Sequence, residues 1–227
     1  TEFGLYVSFD NAKTWNQWRH GYPNAVSTYD MVIQEREADL VIGTFGRSIY
    51  VLDDIRPLRV YAKNQGKAPA AKITAVEPSD AYQAEINQPH GERFAASAKY
   101  TAENRAFGGR LHFILNDAGK EKLDTVTVSI INAAGEKIRT IKTVPQQGVN
   151  QVIWNLDRKS SVDTPMGRGG AGGGARARGF FEPSGGAALP GTYKVVFEYA
   201  DASSETSIKV HADPRINPAL ADLQARE

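Results

Sequence analysis

The sequence predicts an all-β fold, and two observations carry this prediction. Short runs in which apolar and polar side chains alternate, the pattern of half-buried strands, recur along the chain, for example at residues 5–9, 110–115 and 192–199. Polar segments containing Gly, Asn and Asp separate these runs, and such residues favour turns. We therefore expect sheets of short strands in most of the chain.

The first distinctive motif is an octet near the start, Ser8-Phe9-Asp10-Asn11-Ala12-Lys13-Thr14-Trp15. It matches the Asp-box pattern S-x-D-x-G-x-T-W at every defined position except Ala12, which stands where the pattern has Gly. If the turn needs a positive φ there, Ala12 costs roughly 1 kcal/mol or forces a different turn. We expect Ser8, Asp10 and Thr14 to satisfy turn amides while Trp15 folds back as an apolar plug. The octet is thus structural, and Asp10 is not nominated as a catalytic acid.

Five short strands are predicted in residues 1–56, at about residues 4–10, 15–18, 26–34, 40–45 and 48–52. An Asp-box closes a hairpin inside a β-propeller blade, and such a blade is typically a four-stranded sheet. The strands therefore fit the outer two strands of one blade followed by three strands of the last blade. On this interpretation the remaining blades of the propeller are the partners of this chain.

A second β domain is predicted at residues 73–213, after a linker at residues 57–72 that contains Gly, Pro and several Ala. Its expected strands lie at residues 82–86, 110–115, 125–131, 137–144, 148–156, 192–199 and 204–210. Seven short strands with turns between them indicate an immunoglobulin-like or fibronectin-like sandwich. Trp154, on a strand in the middle of this domain, is expected in its core.

A helical segment is predicted to begin within residues 214–227. Asn217 is a suitable N-cap, and Pro218 suits the first helical position. Leu220 and Leu223 are three residues apart and therefore share one helix face.

The octet, together with D-L-V-I-G-T-F-G-R-S-I-Y-V-L-D-D-I-R-P-L at residues 39–58, resembles the end of Asp-box (BNR-repeat) propellers in secreted bacterial proteins. These proteins are of the sialidase-like, sortilin-like and glycosyl-hydrolase-like groups, and their propeller runs into a small sandwich. Residues 126–140, 150–156 and 189–193 resemble that sandwich, which is similar to the immunoglobulin-like domain of a flagellar hook-capping protein. The resemblance implies a secreted or periplasmic bacterial protein. It specifies fold far more strongly than activity, because the matching residues lie in strands and turns.

Composition excludes several classes of site. The chain has 227 residues and a net charge of +1, so no overall field attracts nucleic acid or an acidic membrane surface. It has no cysteine, which excludes disulfides and thiolate metal sites. No apolar run approaches the length of a membrane span. The histidines, at positions 20, 90, 112 and 211, show no ligand spacing, and we expect neither a metal nor a cofactor.

The most conspicuous segment is a Gly-rich loop at residues 158–191. It is not a Walker loop, because no Gly-Lys-Ser/Thr follows the glycines. Arg168, Arg176 and Arg178 make it a possible binding loop for an anionic partner or a sister domain. A mobile connection between two strands explains the same composition, and binding of single-stranded nucleic acid is the least favoured alternative.

No catalytic residue is assigned from the sequence. Asp53 and Asp54, with Asp39 nearby, resemble the paired carboxylates of glycoside hydrolases, but a role in ending a strand and bonding turn amides is favoured. Arg47 is a single arginine at a turn, which is weak support for a sialidase-like carboxylate clamp. His112, in an alternating strand, is expected to face solvent.

Two classes of function remain. In the first, the chain is a non-catalytic fragment that closes a propeller and carries a sandwich for structural packing or for binding a glycan or a protein. In the second, it is part of a glycoside hydrolase whose catalytic residues lie on propeller blades absent from this chain. A pair of carboxylates facing the central channel, roughly 5–10 Å apart, would identify the second class.

Overall fold

The computed structural model describes residues 3–84, 105–119, 123–160, 182–216 and 223. Of these residues, 47% lie in strands and 5% in helix, so the predicted all-β class is confirmed. One of the sheets curls into a half-barrel. Most of the expected carboxyl-terminal helix, including Asn217, Pro218 and Leu220, lies outside the described residues.

Two small sheets form the first part of the chain, and we call their strands the N-terminal strands. Their bounds are β1 Leu5–Val7, β2 Asn16–Trp18, β3 Thr28–Gln34, β4 Asp39–Thr44 and β5 Ile49–Leu52. Strands β1 and β2 pair as a hairpin, and β3, β4 and β5 form an antiparallel meander in that order. Leu5, Tyr22 and Ile42 are buried between these sheets, with Trp18 and Tyr50 packed against them.

A helix, α1, spans Arg56–Lys63 and occupies the start of the segment expected to be a linker. Pro57 lies in its first turn, where the missing N–H costs no intrahelical hydrogen bond, and Lys63 lies in its last turn near the negative end of the helix. Residues 57–63 of the predicted linker are therefore helical. The sequence analysis did not predict this helix, and Pro57 is an ambiguous signal for one, because Pro both starts helices and interrupts them.

The second part of the chain, residues 73–213 as far as they are described, contains ten strands, and we call it the two-sheet unit. Their bounds are β6 Ile73–Ala75, β7 Ala81–Tyr82, β8 Gly109–Leu115, β9 Val126–Ile131, β10 Lys137–Thr143, β11 Gly148–Trp154, β12 Asp157–Lys159, β13 Ser184–Ala187, β14 Gly191–Tyr199 and β15 Ala202–His211. One sheet has the order β10-β9-β14-β15-β7, and a second has the order β11-β8-β6. Strands β12 and β13 form a separate ribbon.

The five-stranded and three-stranded sheets enclose one hydrophobic core. Alternate residues of β8, β9 and β14 point into it, as the period-2 pattern of these strands predicts. Trp154 is fully buried there, with its ring 5.1 Å from that of Tyr193, and Phe113 lies 5.3 Å from Phe197 across the core. The expected position of Trp154 in the core is thus observed.

Strand β8 is buried on both of its faces. Leu111, Phe113 and Leu115 belong to the core, so the alternating residues Arg110 and His112 must point to the opposite side. That side is covered by the end of β5 and by α1, and His112 is only 6% exposed. The expectation that His112 faces solvent is therefore wrong. The alternation along β8 does place His112 on the face opposite the core, but that face is covered by other parts of the chain and not by solvent.

Candidate functional site

The Asp-box octet folds into a turn held by its own side chains. Ser8 Oγ accepts the N–H of Ala12 at 2.8 Å and donates to Asp10 Oδ1 at 2.9 Å. Asp10 in turn accepts the N–H of Thr14 at 2.9 Å and its hydroxyl at 2.7 Å. These bonds satisfy turn amides with side chains of the octet itself, which is the structural role expected for Ser8, Asp10 and Thr14.

Hydrogen bonds from the backbone N–H of Thr14, and then from its hydroxyl, lower the pKa of Asp10 to about 2. The carboxylate is therefore ionised at any neutral pH and serves as an acceptor. A general acid needs a pKa near the working pH, so this environment does not support acid catalysis by Asp10.

Ala12 occupies the left-handed region with φ of +65°, next to Asn11 at +56°. The turn therefore has the positive φ that Gly adopts easily and Ala does not. This local strain is the physical consequence of the one departure from the Asp-box pattern.

Trp15 is 60% exposed, so the expectation that it forms an apolar plug is wrong. It lies at a cavity of about 430 Å³ whose other walls are Gly4, Leu5, Tyr6, Thr28 and Met31. Nearly all of these side chains are apolar. The ring of Trp15 forms part of an open apolar surface instead of closing it.

Both faces of the meander β3–β5 carry apolar side chains at the centre, and the second face also carries Asp30 and Gln34 of β3 toward its ends. Residues that pair directly across an antiparallel sheet lie on the same face. Met31, Ile42 and Tyr50 pair in one row, and Ile42 is 2% exposed because this face packs on the β1–β2 side. Val32, Val41 and Val51 pair in the other row, where Val32 is 62% and Val51 is 54% exposed. We call this second row, together with Ile49, the valine face.

Ionic contacts join the N-terminal strands to the two-sheet unit, and we call these groups the charge cluster. Its carboxylates come from Glu37 and Asp39 at the β3–β4 turn and from Asp53 and Asp54 after β5, and its cations are Arg56, Arg105, Arg110 and His112 when protonated. Arg105 Nη1 lies 2.9 Å from Glu37 Oε2, and its Nη2 contacts Asp39. Arg110 Nη2 lies 3.4 Å from the same Glu37 oxygen and 3.9 Å from Asp39.

Asp54 is the most deeply buried carboxylate of the charge cluster. It accepts the backbone N–H of Arg56 at 3.1 Å and a guanidinium N–H of the same residue at 3.0 Å. Its Oδ2 lies 3.3 Å from Nδ1 of His112, whose Nε2 lies 3.0 Å from the side-chain amide of Gln151. Burial by itself raises the pKa of Asp54, but the contact with His112, the N–H of Arg56 and their charges outweigh it, and the pKa lies below its usual value.

The charge cluster has the parts of an Asp–His dyad but not the geometry for chemistry. Nε2 of His112 faces the amide of Gln151, so the position where a nucleophile would stand is taken by a group that does not react. Asp39 and Asp54 are both buried in ion pairs, and Asp54 bonds the turn amide of Arg56 as the structural interpretation of these residues predicted. Ion pairs of this kind fix the position and orientation of the two segments that they join.

Other candidates from the sequence are not brought together. Arg47 is exposed in the β4–β5 turn, and Nε2 of His211 lies 2.7 Å from Asp80. Arg168, Arg176 and Arg178 lie outside the described residues. In the described parts of the Gly-rich loop, β12 and β13 pair through Asp157 and Ala187, a ribbon that the sequence did not predict.

Sequence reasoning missed Glu37, Arg56, Arg105 and Arg110 as members of one site. A usable signal was present: Arg110 and His112 place two basic side chains on one face of a strand, and Glu37 and Asp39 place two acidic ones at a turn. The spacing does not reveal which turn faces which strand.

Comparison with protein-family models, with curated proteins and with solved structures gives no match. Within the described ranges, no group of three or more His, Asp or Glu side chains is arranged to hold a metal ion. The part of the chain that the structure describes contains no helix long and apolar enough to cross a membrane.

Proposed function

We propose that this chain is a non-catalytic structural and binding module. Its N-terminal strands complete a β-propeller with other blades, and the two-sheet unit is an immunoglobulin-like sandwich attached to them. The observation that carries the proposal is the valine face. Strands that are apolar on both sides are typical of sheets covered on both sides, whereas a sheet facing water alternates apolar and polar residues.

The chemistry of the valine face indicates what covers it. At the centre of this face Val32, Val41, Val51 and Ile49 offer hydrocarbon, whereas a sugar or an anion needs convergent hydrogen-bond donors and acceptors. Another apolar sheet face meets this requirement, because β-branched rows interdigitate well across stacked sheets. The cavity beside Trp15 and Met31 extends the same kind of apolar surface to the other side of the meander.

The resemblance to Asp-box propellers supports this proposal and adds a secreted or periplasmic bacterial location. The Asp-box hydrogen bonds of Ser8 and Asp10 agree with it, as does the meander that follows. The alternative, a glycoside hydrolase, places the catalytic residues on blades absent from this chain, and the carboxylates of Asp39 and Asp54 in this chain are buried in ion pairs.

Charges placed on the valine face test the proposal. We expect wild-type chain to self-associate through this face, and the double variant Val32→Lys/Val51→Lys to remain monomeric in sedimentation velocity. Because both positions are exposed, the free energy of unfolding should change by no more than about 0.5 kcal/mol per site. Ile42→Lys is the matched control: it places the charge on the covered face and should unfold the N-terminal strands.

Three outcomes contradict the proposal. If the lysine pair on the valine face unfolds the chain as Ile42→Lys does, or leaves self-association unchanged, that face is not a docking surface. Hydrolysis of an aryl glycoside by the purified chain would overturn the non-catalytic assignment.

A further inference from the structure

The hydrophobic core of the N-terminal strands is separate from that of the two-sheet unit. Among the described residues, the cluster around Leu5, Tyr22 and Ile42 shares no member with the cluster around Trp154. Burial of apolar surface therefore stabilises each part internally. The position of one part relative to the other therefore depends on the contacts between the two parts.

Three arginines converge on the β3–β4 turn from outside it. Arg56, in the first turn of α1, donates to the backbone carbonyls of Arg36 and Glu37 at 2.9 Å each. Arg105 and Arg110, from the two-sheet unit, both contact the carboxylates of Glu37 and Asp39. A planar guanidinium with several fixed donors restricts orientation far more than an apolar contact of equal size does.

We propose that Arg56, Arg105 and Arg110 form an orientation clamp. The clamp binds the acidic β3–β4 turn and fixes the orientation of the N-terminal strands relative to the two-sheet unit. Removing its charges lets the N-terminal strands move as a body while both cores stay folded. The proposal goes beyond the proposed function and does not depend on it, since every contact lies within this chain.

Further charged groups surround the clamp. Glu37 is also paired with Arg36 at 3.1 Å, and Asp53 lies 3.9 Å from Arg105 at the exposed rim. Asp54 is held by Arg56 and His112. The carboxylates of Asp39 and Asp54, which are buried, and of Glu37, which is half-buried, thus face the guanidinium groups of the clamp, so each carboxylate has a partner of opposite sign. Moving the N-terminal strands away would break these ion pairs and leave charges without partners. This energetic cost restrains the strands relative to the two-sheet unit.

A distance measurement in the full chain tests the clamp. Since the chain has no cysteine, Lys13→Cys in the Asp-box turn and Ala134→Cys in the β9–β10 turn allow two spin labels to be attached specifically. Both sites are exposed. Electron–electron double resonance should give one narrow distance in the labelled parent chain. With Arg105→Gln and Arg110→Met added, the narrow distance should be lost and replaced by a broad distribution, with both parts retaining their circular dichroism.

Arg139→Met is the matched control. Arg139 is a buried arginine whose Nε lies 3.4 Å from Asp157, but this pair lies inside the two-sheet unit. Its loss should lower stability and leave the distance narrow. If Arg110→Met prevents folding, Arg105→Gln alone, at a side chain that is 35% exposed, should still broaden the distance. A narrow distance in Arg105→Gln or in the double variant, or equal broadening in Arg139→Met, overturns the clamp.

Discussion

His112 of β8 faces Asp54 at the end of β5, with Nδ1 3.3 Å from Oδ2, and both side chains are buried. Neither of these two atoms has an aligned hydrogen bond within the described structure. Within the described residues, their mutual contact is thus the polar contact that the structure gives these two atoms. This contact shows that the face of β8 opposite the core packs against the N-terminal part of the chain.

Replacing Asp54 tests the energetic value of that contact. Asp54→Asn keeps the shape but removes the charge opposite Arg56 and His112, and should lower the free energy of unfolding by about 1–3 kcal/mol. Asp53→Asn is the control, because its side chain is 63% exposed and should change stability by no more than about 0.5 kcal/mol. Urea unfolding followed by tryptophan fluorescence measures both. Equal effects of the two variants would contradict the special position of Asp54.

The same residue gives a pH dependence with a defined sign. The pKa of Asp54 is lower in the folded chain than its ordinary value of 3.8, so the ionised carboxylate favours the folded state. The stability that ionised Asp54 contributes is fully present above the pKa of this group in the unfolded state. It is lost as the pH falls through the lower pKa of the folded state. Wild-type stability should therefore fall more steeply below about pH 4 than that of Asp54→Asn. Parallel curves would show that Asp54 is not the group that titrates.

Ala12→Gly should stabilise the chain. The backbone at Ala12 has φ of +65°, where Gly avoids the steric penalty of the methyl group, and the gain should be up to about 1 kcal/mol. Ala134→Gly is matched as an exposed turn position whose φ is not positive, so the added freedom of the unfolded chain should make it neutral or destabilising. Thermal unfolding distinguishes them. A loss of stability in Ala12→Gly would mean that the turn does not carry this strain.

Two tryptophans should respond very differently to truncation. Trp154 is fully buried, and its Nε1 donates to the carbonyl of Asp157 at 2.9 Å. Trp154→Ala should cost about 3–5 kcal/mol, through lost burial and a cavity. Trp15→Ala, at a largely exposed ring, should cost no more than about 0.5 kcal/mol. Comparable losses in denaturant titrations would show that Trp15 is buried in solution, as by association through the apolar surface it lines.

Local signals explain most of what could be predicted. The alternation at residues 193–199 and the turn chemistry of Ser8 and Asp10 depend on neighbours close in sequence, so strands and turns could be placed before any fold was known. Helix α1 was missed because eight residues carry little periodic signal and Pro57 is ambiguous. The ribbon of β12 and β13 was missed because Gly185 and Gly186 do not resemble a strand.

By itself the sequence determined the all-β class, the positions of the longer strands, the Asp-box turn and the burial of Trp154, because spacing along one strand decides which side chains share a face. Only the tertiary structure decided what each face meets. It placed His112 against Asp54 instead of solvent, left Trp15 and the valine face open, and brought Arg105 and Arg110 to the β3–β4 turn. The physical reason is that a strand pattern specifies two faces but not their neighbours, which are set by contacts between residues far apart in the chain.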